Sequence, residues 1–66
     1  MPKNMEELAE MLARRDGISY EEELAAIHEV AAEIETVVLD GNPELAEILL
    51  ADYLGLEPDY LDIFLF

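Results

Sequence analysis

Apolar positions recur along this chain at intervals of three and four, and each run of them stops at a glycine. The junctions read "RDGIS", "LDGNP" and "YLGLEP". A glycine just past a helix end takes the left-handed conformation that closes the last turn. Ser, Asn or Pro shortly afterwards starts the next helix. Four helices follow from this punctuation. The expected fold is all-α: a single domain over 1–66, built as a compact bundle of three to four short helices with one longer, acidic amphipathic helix of about 20 residues.

The first helix is expected to begin at Asn4, with Glu7 three residues on as its capping-box partner, and to run to about Arg15. Met5, Leu8 and Leu12 share one side, and Arg14 and Arg15 suit the negative end of the helix dipole. The second opens on "SYEE", again a capping box, and continues to about Asp40. Tyr20, Leu24, Ile27, Ala31, Ile34 and Val38 recur with heptad-like spacing and form its expected packing seam. Ala26, Val30 and Val37 add apolar surface beside that seam. Glu22, Glu29, Glu33, Thr36 and Asp40 fall in another line, an acidic rail expected on the opposite side.

Asn42 and Pro43 start the third helix, "PELAEILLADYL", which Gly55 ends. Its apolar residues point nearly all round, and such a helix is expected to be buried on most sides, at the centre or against another chain. The fourth is short, from Pro58 to about Leu65. Tyr60, Leu61 and Phe64 make its core face, whereas Leu65 and Phe66 fall outside it. Val30, Val37, Leu65 and Phe66 are therefore the apolar residues with least to cover them, and candidates for an interface.

Charge changes this picture more than any other total. The 66 residues carry 17 acids and three bases, a net charge of −14, with 53% hydrophobic residues. Lys3, Arg14 and Arg15 are all the bases, so residues 16–66 hold 14 acids and no Lys or Arg. A direct nucleic-acid reader needs cations to neutralise phosphates, and anionic membranes would repel this chain. The hydrophobic content argues against disorder. Like charges at i,i+4, such as Glu29 and Glu33, cost helix stability, and ordinary solubilising surfaces intersperse both signs. A protein partner with a basic surface would compensate that repulsion. The carboxylates of Glu22, Glu29, Glu33 and Asp40 are its expected contacts.

Catalytic chemistry finds no foothold. There is no cysteine, and His28 is the single histidine. "HEVAAE" lacks the second histidine of a zinc-protease motif, and "DGNPE" lacks the ligand ladder of a calcium loop. His28 reads as a residue at the boundary of the seam. No cofactor or metal is expected, and no enzyme activity. Charges interrupt every apolar run well short of the roughly 20 residues a membrane span needs, and the amino end does not resemble a signal peptide. A soluble, cytoplasmic protein is expected.

"LARRDGIS" and "LGLEPDYL" together resemble a pattern found in small acidic proteins encoded by bacteriophages and prophages. The resemblance covers most of the chain, and its motifs are mostly helix-cap grammar. It carries no established activity and transfers no catalytic residue. It implies a phage context inside a bacterial host. Small acidic phage proteins, several anti-CRISPR and anti-restriction proteins among them, often occupy a host protein's nucleic-acid site. By that analogy the acidic face would act as a DNA mimic against a host defence or nucleic-acid-handling protein. The alternative is a homo-oligomeric structural or regulatory helical module, a homodimer for example, whose apolar surplus pairs with itself.

Overall fold

Local chemistry sets where each helix starts. In the computed structural model, which describes residues 2–65, α1 spans Met5–Asp16, α2 spans Tyr20–Leu39 and α3 spans Pro43–Leu49. α3 continues into a π-helical turn, Leu50–Leu54, and a 3-10 turn, Pro58–Tyr60, leads into α4, Leu61–Leu65. No strand occurs among the described residues, so the fold is all-α with a 20-residue helix at its centre.

Two of the three expected caps form, at Asn4 and Ser19, whereas Asn42 makes no side-chain cap bond and α3 starts on Pro43. Asn4 Oδ1 accepts from the Glu7 backbone N–H at 2.9 Å, and Ser19 Oγ accepts from that of Glu22 at 3.1 Å. The return arm of the first box lands one residue early: Glu7 Oε1 accepts from the backbone N–H of Lys3, not from that of Asn4. At the end of α2 the Asn42 N–H bonds the Val37 carbonyl and the Gly41 N–H bonds that of Val38. Those paired bonds close a Schellman turn, which the left-handed φ of 84° at Gly41 permits.

α2 packs against α1, α3 and α4. Leu8, Ala9 and Leu12 meet Ile27, Val30 and Ile34, and Ala46, Leu50, Leu54 and Leu56 complete the core. The covered stripe of α2 is Glu23, Ile27, Val30 and Ile34, so the helix is rotated relative to the expected seam. Tyr20 is exposed, and Leu24, Ala31 and Val38 are half-buried. The reason is that α2 is packed by α1 and α3 together, and both draw on the same stripe. This overturns one expectation: Val30, 6% exposed, belongs to the core and is not one of the uncovered apolar residues. Val37 is half-buried against that core.

α3 also departs from expectation. It is not buried on most sides: Ala46, Leu50 and Leu54 turn inward, while Leu45, Ile48 and Tyr53 are exposed. In the last turn the Gly55 N–H reaches back to the Leu50 carbonyl as well as that of Ala51. Closing five residues back widens the turn. At the four-residue spacing of these side chains, the slower rotation keeps Leu54 on the same inward face as Leu50. The total exposed area is 4358 Å², close to the roughly 4200 Å² that a compact monomer of this mass presents.

Tyr60, Leu61, Ile63 and Phe64 pack half-buried against the core, as the pattern of the fourth helix implies for three of them. Leu65 is exposed. Phe66 lies outside the described residues.

Candidate functional site

Glu22, Glu29, Glu33 and Asp40 are all exposed. Positions 22, 29 and 33 recur at intervals of seven and four, which keeps their carboxylates within one narrow stripe of α2. Thr36, between them, turns its hydroxyl back to the Ala32 carbonyl at 3.1 Å and contributes nothing outward. Among the described residues the one salt bridge joins Arg15 to Asp16. No cation among the described residues neutralises the acidic stripe.

The stripe does not stand opposite the core. At about 100° per residue it lies roughly 110° round the helix from the buried stripe, on the flank that faces the π-helical turn. There Glu29 and Glu33 border a shallow hollow of about 240 Å³, together with Ala26, Val30 and Tyr53. Tyr53, from the π-helical turn, is 61% exposed and supplies the aromatic wall. The hollow falls below the roughly 300–1,000 Å³ of sites that enclose small molecules. Its size and open shape suit one side chain offered by another surface. An aromatic face beside two carboxylates favours a cationic side chain, which gains from the ring quadrupole as well as from charge.

The apolar candidates part company. Val30 forms the floor of the hollow from beneath, Val37 is half-covered, Leu65 is exposed, and Phe66 lies outside the described residues. The large apolar side chains that do face solvent include Leu39, Leu45, Ile48 and Tyr53. Leu45 and Ile48 lie three apart on one face of α3. The all-round apolar character of "ELAEILLADYL" carried that signal, but it does not tell which side a bundle will leave uncovered.

One charged cluster escapes the sequence pattern altogether. Glu23, the third acid after Ser19, is 3% exposed and its Oε2 has no hydrogen-bond partner. It sits beside Asp16, whose carboxylate is gripped by Arg15. The clue available in the sequence was its spacing, four residues before Ile27 on what became the buried stripe. Arg15 likewise does more than complement the end of its own helix. Its Nη2 donates to the Leu54 carbonyl at 2.8 Å and its Nη1 to that of Gly55 at 3.5 Å, tying α1 to the π-helical turn. His28 is exposed, and among the described residues no group of three or more His, Asp or Glu is placed to hold a metal.

Among the described residues no helix is long and apolar enough to cross a membrane. Compared with protein-family models, curated proteins and solved structures, the chain matches none of them significantly.

Proposed function

We propose that this chain is a non-enzymatic protein-binding module whose acidic face engages a basic surface on another protein. The observation that carries the reading is the unneutralised line of Glu22, Glu29, Glu33 and Asp40 beside a hollow walled by Tyr53. The carboxylates steer a basic partner and hold it in register. Tyr53, with the apolar floor of Ala26 and Val30, supplies the desolvated anchor that converts steering into affinity. In the sharper form of this reading the carboxylates stand in for phosphates. The chain then blocks the nucleic-acid groove of a host defence or nucleic-acid-handling protein, as a phage-type inhibitor of the anti-CRISPR kind does in the bacterial cytoplasm. The resemblance of "LARRDGIS" and "LGLEPDYL" to small phage proteins supports that form.

The test is affinity capture from a bacterial lysate with the wild type and with a Glu29→Lys, Glu33→Lys double variant. The expected catch is a basic nucleic-acid-binding protein that DNA displaces, that rising salt releases, and that the double variant fails to hold. Capture indifferent to salt and to charge reversal overturns the reading.

The exposed Leu45 and Ile48 favour a second reading, a homo-oligomeric module paired through α3. Sedimentation of the wild type and of Ile48→Ser separates the two. Self-association in the wild type that the variant abolishes favours pairing, and a monomer in both removes it. The net charge of −14 on each copy opposes such pairing.

A further inference from the structure

Every acid on α2 but one stands in water. Around the exception, Glu23, segments distant in sequence meet. Arg15 Nε and Nη2 hold the two carboxylate oxygens of Asp16 at 2.8 and 3.1 Å. The same guanidinium clasps the Leu54 and Gly55 carbonyls, where the π-helical turn ends. Glu23, 3% exposed and with its Oε2 unpartnered, lies beside Asp16 in this cluster.

Two neighbouring carboxyl groups do not both ionise without cost. Asp16 is the one held charged: the hydrogen bond from Arg15 lowers it below the ordinary aspartate range. Glu23 is pushed the other way, first by burial, then by the charge of Asp16 and the hydrogen bond to it, with Arg15 opposing weakly. A proton on Glu23 supplies the donor that this pair of acceptors otherwise lacks.

We propose that Arg15, Asp16 and Glu23 form a proton-operated latch between α1, α2 and the π-helical turn. With the proton in place Glu23 donates to Asp16 and the clasp is closed. Without it two adjacent carboxylates repel, and Arg15 is drawn between them and away from the carbonyls. The groups that act on the latch come from each neighbouring element. α1 supplies Arg15 and Asp16, the 3-10 turn supplies Tyr60 beside Arg15, and the π-helical turn presents the carbonyls of Leu54 and Gly55. The latch stands independently of any partner for the acidic face.

The sign follows from proton linkage. The folded chain binds the Glu23 proton more tightly than the unfolded chain, so this stabilisation is complete below the unfolded glutamate range. It is lost as pH rises through the higher folded value. Repulsion among the other acids gives a slope of the same sign, so the test needs a charge-matched control. Glu35 is on the same helix, exposed and outside the cluster.

The experiment has two parts. Thermal melting of the wild type, Glu23→Gln and Glu35→Gln is followed from about pH 5 to about pH 8. The expected result is that the wild type and Glu35→Gln lose melting temperature in parallel while Glu23→Gln loses less. At the upper end Glu23→Gln should melt about 5 °C above Glu35→Gln, the shift that roughly one kcal/mol gives in a domain this small. In the wild type alone, carbon NMR of the side-chain carboxyls should place the Glu23 midpoint above those of the exposed glutamates. The Gly55 and Leu56 amides should lose exchange protection through the same midpoint, after correction for the intrinsic rate. Glu23→Gln tracking Glu35→Gln overturns the latch. So does a Glu23 midpoint among the others, or protection at Gly55 and Leu56 that ignores it. If Glu23→Gln does not fold, the wild-type measurements decide.

Discussion

Glu23 and Glu33 are the same side chain on the same helix, and they lead opposite lives. Glu33 borders an open hollow with Glu29 and Tyr53, fully able to solvate its charge. Glu23 is buried beside Asp16 at the end of α1, and burial together with Asp16 favours its protonated form. Helical position decides only which way each carboxylate points. The tertiary neighbours decide whether it acts as a surface charge or as a carrier of a proton. The acidic character of this chain is therefore two properties: a field presented outward, and a titratable joint inside.

Removing the scaffold under both regions should have the largest effect. Ile34→Ala deletes a fully buried side chain on the stripe of α2 that carries them. It should cost about 2–5 kcal/mol in urea unfolding, enough to erase the distinction between the two glutamates. Arg15→Ala attacks only the inner region. It frees the part-buried Leu54 carbonyl and ungrips Asp16, and should cost about 1 kcal/mol. Asp16→Asn sharpens the acid side. The lowered Asp16 contributes stability above its unfolded value and loses it as pH falls through the folded one. The variant should flatten the acid limb of stability against pH.

The smallest stability effect belongs to the outer region. Glu29→Gln with Glu33→Gln should leave unfolding free energy within about 0.5 kcal/mol of the wild type, or slightly above it, because an i,i+4 repulsion is relieved. The same pair should weaken capture of a basic partner more than any change at Glu23. Equal sensitivity of stability to substitution at 23 and at 33 would dissolve the comparison.

Much of the fold is legible residue by residue. Asn4 and Ser19 cap as their side chains predict, Gly17, Gly41 and Gly55 end their helices, and α2 has its expected length. The acidic stripe is legible too, because exposure of Glu22, Glu29, Glu33 and Asp40 follows from period and polarity. Less legible is how α2 turns its seam. Val30 was expected near the surface and lies in the core, since α1 and α3 share one stripe of α2. The open side of α3 was equally hidden. Leu45, Ile48, Leu50 and Leu54 are interchangeable by type, and only packing separates those that face inward from those that do not.

By itself the sequence determined where the helices begin and end and how the charge divides along the chain. Caps and glycine stops act over three to six residues, within reach of local rules. The tertiary structure alone decided that Arg15 would cross 39 residues to the Leu54 carbonyl and that Glu23 would be closed in beside it. Burial and the field of a neighbouring charge depend on chain segments that meet only on folding. Spacing along α2 puts Glu23 in line with Ile27 and Ile34, but only the packed neighbours decide that this line is the buried one.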